Sequence, residues 1–262
     1  SVTVAPIRLP TDTTSIEHGK YLYLSRSCAE CHGADGGGRE FISDGKGTHV
    51  SAPNISPGSG SVVAAYQSQD WARTIRHGVK PDGRPVFIMP SEEFNQLTDE
   101  DLGDLIAYVR SLPPVAGGPA VFKLPLPMEV MYGFGLIPDA AQIIDHTLPP
   151  AKAVPVSISA QHGAYVANMC IGCHGPGLSG GKIPGGSPAW PAAANLTPGA
   201  DSIMPRYPSA TQFIAMLHSG KRPDGSTIQV MPFGSLKQLT DIDAKALYAY
   251  LQTVPAKPPG NR

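Results

Sequence analysis

The hexapeptide Cys-x-x-Cys-His-Gly occurs twice, within SCAECHGADGGG (27–38) and MCIGCHGPGLSGG (169–181), and these two copies hold all four cysteines of the 262-residue chain. The copies stand 142 residues apart, Cys28 to Cys170 and His32 to His174. The same offset relates KPDGRPVFIMP (80–90) to RPDGSTIQVMP (222–232), and LTDEDLGDLIAYVRSLP (97–113) to LTDIDAKALYAYLQTVP (239–255). PNIS (53–56) matches ANLT (194–197) one residue out of register, and EHGKY (17–21) matches QHGAY (161–165) two residues out. Slips of that size belong in loops, which tolerate insertions. The sequence therefore predicts one domain written twice, over 12–113 and 156–256.

The joining segment, 114–155, is rich in proline and long for a connection inside a compact fold. It is too apolar for a plain tether, with Val121, Phe122, Leu124, Leu126, Met128, Val130, Met131, Tyr132 and Phe134. It reads as an ordered strap packed on one or both domains. Around it, 29 Gly and 28 Pro against 41% hydrophobic residues indicate loop-rich globular domains. No apolar run approaches the roughly 20 residues that span a bilayer, and no basic-then-apolar leader is visible. The chain is thus expected to be soluble, either cytoplasmic or already processed.

A net charge of −1 argues against a general nucleic-acid role. The total conceals a split. Residues 1–112 carry 10 Lys+Arg against 14 Asp+Glu, a net of −4, whereas residues 156–262 carry 8 against 4, a net of +4.

Periodicity and capping signals predict helices over 14–30, 70–77 and 98–112, and over 159–172, 209–219 and 240–253. Thr98 and Thr240 serve as N-caps, and Pro113 and Pro255 as stops. Leu102, Leu105, Ile106, Val109 and Leu112 recur at helical spacing. No run of alternating strand residues stands out, so each domain is expected to be mainly α with long Gly/Pro loops.

Three chemistries use Cys-x-x-Cys: a redox dithiol with a lowered thiol pKa, a structural zinc centre that pools four ligands, and covalent haem attachment with the next histidine as proximal ligand. Histidine follows the second cysteine at once in both copies, and each copy sits in its own complete repeat. Each repeat also supplies one Met-Pro, and the spacings His32–Met89 and His174–Met231 are both 57 residues. Methionine is a sixth ligand for haem iron and raises its potential. The pattern favours haem over zinc or a dithiol. It predicts two covalently attached haem c groups, on Cys28, Cys31 and His32 with Met89, and on Cys170, Cys173 and His174 with Met231. Met128, Met131, Met169, Met204 and Met216 have no repeat partner and are expected to pack.

With these residues in place, the chain resembles the class I cytochromes c in a tandem, dihaem form. More distantly it resembles the haem modules of bacterial dehydrogenase cytochrome subunits. The resemblance covers both domains and not the strap. It implies that Gly19 packs against Tyr108 and Gly163 against Tyr250. It also implies that the loops holding Asn54 and Asn195 approach the proximal histidine and the cofactor edge. The carbonyl oxygen of Pro53, or of Ala194, then accepts from the imidazole. Trp71, matched by Phe213, is expected as a wall of the cofactor pocket. Arg73, Arg76 and Arg84 are possible propionate partners, and His18 and His162 are expected at the surface or in helix packing. If either iron were bis-His, His49 or His77 would be the first candidate.

The resemblance further implies a periplasmic location and electron transfer as the function. Redox partners would be a dehydrogenase, a small cytochrome or cupredoxin, and an oxidase or reductase. The alternative is a dihaem enzyme such as a peroxide reductase or thiosulfate dehydrogenase. That class needs one iron with a displaceable ligand, so two matched methionines favour a carrier over an enzyme.

Overall fold

The computed structural model describes residues 2–45 and 47–261. The chain forms two compact units, Ser1–Ala151 and Lys152–Arg262, so the strap belongs almost wholly to the first.

Unit one contains α1 (Thr13–Ser25), α2 (Cys28–His32), α3 (Ser68–His77), α4 (Ser91–Phe94) and α5 (Asp99–Ser111). The Asp12 side chain caps α1 by accepting from Ser15 N at 2.9 Å. Thr98 Oγ1 caps α5 by accepting from Asp101 N at 3.0 Å. Asp99, Glu100 and Asp101 crowd the first turn of α5, where the helix dipole favours negative charge. The buried face of α5 (Leu102, Leu105, Ile106 and Val109) meets Leu22 and Tyr23 of α1. The strap then contributes α6 (Leu126–Gly133) and α7 (Ala140–Ile143).

Unit two repeats the plan with α8 (Ala160–Val166), α9 (Ile171–His174), α10 (Ala210–Ser219), α11 (Phe233–Leu236) and α12 (Asp241–Leu251). Its core joins Val166, Leu178, Met204, Tyr207, Phe213, Met216, Leu217, Leu247 and Leu251. Both units are thus mainly helical and loop-rich.

The crossing of the first and last helix depends on one glycine in each unit. A Cβ on Gly19 would collide with the Asp104 carbonyl oxygen and come within 2.9 Å of Tyr108 Cβ. On Gly163 it would collide with the Ala246 carbonyl oxygen and come within 2.7 Å of Tyr250 Cβ. A histidine beside each glycine closes the same crossing. His18 Nε2 lies 2.9 Å from Asp101 Oδ1, and His162 Nε2 lies 2.7 Å from Asp243 Oδ1.

Its hydrogen bond to Asp101 raises the His18 pKa above the ordinary histidine value. A folded-state pKa above the unfolded one stabilises the fold at pH below the unfolded value, and that contribution is lost as pH rises through the folded value. Amide exchange in α1 should therefore quicken as pH rises past the ordinary histidine range. Asp101→Asn should flatten this dependence; an unchanged profile in that variant would show the pair is idle.

Three features depart from the sequence expectation, and the ordered strap agrees with it. First, a three-stranded antiparallel sheet exists, in the order β1 (Glu40–Ser43), β2 (His49–Ser51), β3 (Val121–Lys123). Its strands are too short to show an alternating pattern, and β3 comes from the strap, with Val50 opposite Phe122.

Second, the helix expected over 14–30 stops at Ser25. Ser27 turns left-handed (φ 66°) and restarts the chain as α2. The helix expected over 159–172 tightens into a 3₁₀ turn over Ala167–Cys170 before α9.

As expected, the strap is ordered by contacts to the first domain. Phe87 meets Phe122 at a tilt of 54° (4.1 Å between ring centres) and Tyr132 edge-on (4.2 Å). His146 Nδ1 lies 3.1 Å from His77 Nδ1. Third, Met128 and Met131 are only partly covered, 41% and 44% exposed. With Leu126, Leu136 and Phe134, which is 80% exposed, they stand on the strap's outer face, whereas Met204 and Met216 are buried.

Candidate functional site

In unit one, α2 carries Cys28, Cys31 and His32 on a single short turn. His32 Nδ1 lies 3.1 Å from the Pro53 carbonyl oxygen, and in unit two His174 Nδ1 lies 2.8 Å from that of Ala194. A carbonyl oxygen can only accept, so Nδ1 carries the proton in each ring. Nε2 is then the nitrogen whose lone pair can bind a metal. Burial lowers the His32 pKa, which keeps that imidazole neutral.

Burial and the neighbouring Cys31 push the Cys28 thiol up to about 12, and burial also raises Cys31. These thiols are protonated at neutral pH, opposite to the thiolate a redox dithiol needs. Each cysteine pair also stays in its own unit. Among the described residues, no group of three or more His, Cys, Asp or Glu is placed to share a metal ion. Two thiols, a tautomer-fixed imidazole and a thioether in each repeat form a donor set suited to haem c, and to neither alternative.

The loops that end in Met89 and Met231 are pinned identically. Val86 N donates to Gly78 O (2.8 Å) and Ile228 N to Gly220 O (2.9 Å). Ser91 N donates to Met89 O (2.8 Å) and Phe233 N to Met231 O (2.9 Å). Met231 packs on the same cluster as Cys170 and Phe213. Met89 is half-buried.

Trp71 is buried and sets its ring edge against Tyr66, while Phe213 is buried against Tyr207 and Tyr248. Of the arginines singled out in the sequence, Arg84 is exposed and held by Asp82 at 2.6 Å. Arg76 is buried and engaged by Leu97 O (2.6 Å) and Asp99 (2.7 Å). Arg73 pairs with Asp70 at 2.5 Å, yet its Nε is a buried donor with no protein acceptor, which suits a propionate. His49 is engaged by Glu40 (3.0 Å) and His77 by His146.

The side chains of the two asparagines in the Pro53 and Ala194 loops are engaged by the protein itself. Asn54 Nδ2 donates to Ser59 O (3.2 Å) and Val115 O (2.8 Å), and its Oδ1 accepts from Ser56 N (2.9 Å) and Ser56 Oγ (2.7 Å). Asn195 Nδ2 donates to Ala200 O (3.1 Å) and Lys257 O (2.9 Å), and its Oδ1 accepts from Thr197 N (2.9 Å) and Thr197 Oγ1 (2.8 Å). Both side chains are buried and have no polar capacity left over for a cofactor. Val115 and Lys257 were invisible as functional positions. The signal that would have found them is the repeat itself, since each lies two residues past its helix-stopping proline at the same 142-residue offset.

The Cytochrome c family pattern matches residues 16–113 and again residues 160–255. The chain belongs to the cytochrome c family, as a tandem of two such domains. The fructose dehydrogenase cytochrome subunit of Gluconobacter japonicus is 30% identical over 274 residues, covering 93% of this chain and 53% of that protein. The cytochrome c subunit of the alcohol dehydrogenase (quinone) of Gluconobacter oxydans is 26% identical, covering 95% and 56%. A diheme cytochrome c-type protein of Cereibacter sphaeroides is 27% identical, covering 93% and 87%. The chain spans about half the length of the two dehydrogenase subunits. It carries two covalently bound haem c groups. Among the described residues no helix is long and apolar enough to cross a membrane.

Proposed function

We propose that this chain is the electron-transfer element of a periplasmic dehydrogenase system. It takes electrons from the dehydrogenase and passes them to a small cytochrome, a cupredoxin, or a terminal oxidase or reductase. Cys28 and Cys31 anchor haem one, and His32 and Met89 ligate its iron. Cys170 and Cys173 anchor haem two, ligated by His174 and Met231. The observation that carries this reading is the carbonyl on each proximal Nδ1, made in both repeats, which orients Nε2 for iron.

Bound haem c supplies a one-electron iron couple. The protein's own residues do the rest. Thioether links at the cysteines hold each haem on its short helix. Pro53 and Ala194 fix the imidazole tautomer, and the methionine sulfurs of Met89 and Met231 would serve as the second ligand of each iron and raise its potential. Trp71 and Phe213 exclude water from the pocket, and the Arg73 Nε offers a donor to a propionate. Support for the dehydrogenase partner comes from the names of the two Gluconobacter relatives. A filled sixth position leaves no place for a small substrate, which favours a carrier over a peroxide- or thiosulfate-converting enzyme.

The experiment is stopped-flow electron transfer to an acidic and a basic carrier protein across ionic strength. The loop that presents Met231 carries Lys221 and Arg222, in a half of net charge +4, whereas the first half is −4. Complementary fields chiefly raise association rates. The acidic carrier should therefore use haem two and the basic one haem one. Both transfers should slow several-fold as salt shortens the screening length to about 10 Å at 0.1 M. Neutralising Lys221, Arg222 and Lys237 should slow only the acidic carrier. Sustained turnover of peroxide or thiosulfate by the isolated protein would instead overturn the carrier reading.

A further inference from the structure

The segments that follow the last helix of each unit make a matched set of bonds. Val115 N donates to Ser56 Oγ (3.1 Å), and Val115 O accepts from Asn54 Nδ2 (2.8 Å) and Ser56 Oγ (3.1 Å). Lys257 N donates to Thr197 Oγ1 (3.1 Å), and Lys257 O accepts from Asn195 Nδ2 (2.9 Å) and Thr197 Oγ1 (3.3 Å). Two copies that have diverged over much of their length keep an Asn and a hydroxyl in this arrangement. Asn54 directly follows Pro53 and Asn195 directly follows Ala194, the residues whose carbonyls accept from the proximal imidazoles.

The far side of each carbonyl is walled by a glycine. A Cβ on Gly38 would come within 3.0 Å of Pro53 O and closer still to Ala52 O. On Gly180 it would come within 2.5 Å of Ala194 O. Gly38 N and Gly180 N each donate at 2.9 Å to the carbonyl of the proximal histidine itself, His32 and His174. The accepting carbonyl is thus gripped between a glycine fixed to the histidine and an asparagine fixed to the tail.

We propose that each tail is a strut that sets the potential of its own haem, with Asn54 and Ser56, and Asn195 and Thr197, as the positioning residues. The strut fixes the distance between the carbonyl and Nδ1–H. A short bond gives the imidazole anionic character, makes it a stronger donor to iron and favours the ferric state. Loosening the strut weakens that bond and raises the potential. In unit one the strut runs into the strap, where Asn54 N donates to Gly118 O at 2.9 Å, and β3 begins three residues later. A partner that displaces the strap therefore acts on haem one. This inference rests on the His32 and His174 ligation proposed above.

The test is a spectroscopically resolved redox titration of the intact dihaem protein with Ser56→Ala, Ser56→Thr and Thr197→Ala. Ser56→Ala should shift the ferrous-to-ferric ratio of haem one three- to tenfold at a fixed poise. That is a rise of about 28 to 59 mV for a one-electron couple. The sulfur-to-iron band should persist, haem two should not move, and the iron–imidazole stretch of haem one should fall in frequency. Ser56→Thr should restore the wild-type value, because threonine fills the matching place in unit two. Thr197→Ala should produce the same changes at haem two alone, so the outcome does not hinge on one variant folding. A His/Met wild-type spectrum with unmoved potentials in both alanine variants would overturn the strut. A wild-type spectrum without imidazole ligation would overturn the ligation reading, and the strut with it.

Discussion

Replacing Met89 by alanine is expected to remove about half of the sulfur-to-iron absorption of the ferric protein, and Met231→Ala the other half. The substitutions should leave the loops standing, because main-chain bonds hold them. Lys80 N donates to Arg84 O (2.9 Å) and Arg222 N to Ser226 O (2.8 Å), and Val86 and Ile228 reach back to Gly78 and Gly220. No bond in either set uses the methionine side chain. The affected haem should lose the ligand that stabilises its ferrous state. Its potential should fall on the order of 0.2 V, within the roughly 0.8 V that axial ligation commands. The other haem should keep its own. Of the replacement ligands, His77 is engaged by His146 and His49 by Glu40. An open or water-bound iron is therefore the expected product, with new peroxide reactivity confined to the variant. A bis-His spectrum for either wild-type haem, or two full-strength bands in Met89→Ala, would refute the assignment.

What the sequence made legible was whatever the duplication wrote twice. The Cys-x-x-Cys-His turns, the methionine loops, the capped last helices and the Gly19 and Gly163 crossings all recur at or near one offset, and the structure forms each of them twice. The carbonyls at Pro53 and Ala194 were reachable through the family resemblance, since backbone acceptors do not depend on side-chain identity.

Features present once were hidden. The β-sheet needs Val121–Lys123 to lie beside His49–Ser51, some 70 residues away in sequence, and strands of three residues have no period to read. The left-handed Ser27 has no local signal, since glycine or asparagine is the usual mark of that conformation. The asparagines were placed in the right loops, but their bonds to Val115 and Lys257 were not foreseen, because a resemblance gives a loop's position and not its hydrogen bonds. The strap's outer face was misread for a different reason. Hydrophobicity identified it as ordered, and Tyr132 and Phe122 do anchor it, but Phe134 is left exposed and Met128 and Met131 are only partly covered.

Gly163→Ala should destabilise unit two severely, although the same change in most helices is favourable. Glycine inside a helix costs about 0.5–1 kcal/mol relative to alanine, so a permissive site would gain that much. Here the added methyl meets the backbone carbonyl of Ala246, and a backbone group cannot rotate aside as a side chain can. Helices α8 and α12 must separate. With them go the packing of Val166 on Leu247 and Leu251 and the short His162–Asp243 contact across the same crossing. Overpacking of this kind costs about 1–3 kcal/mol and occasionally more, and the fixed obstacle puts Gly163 at the upper end. For a domain of this size about 3 kcal/mol corresponds to a fall in Tm of roughly 12–20 °C. Because the chain forms two compact units, the melting of unit one should stay where it was, giving two separated transitions followed at the two haems. Gly19→Ala should reverse the pattern, weakening unit one against the Asp104 carbonyl. Gly133→Ala, in α6 with open space around its Cβ, is the control and should be neutral or slightly stabilising. A Gly163→Ala protein as stable as the wild type would mean that the first and last helices do not approach this closely, and the crossing that orients Cys170, Cys173 and His174 would have to be redrawn.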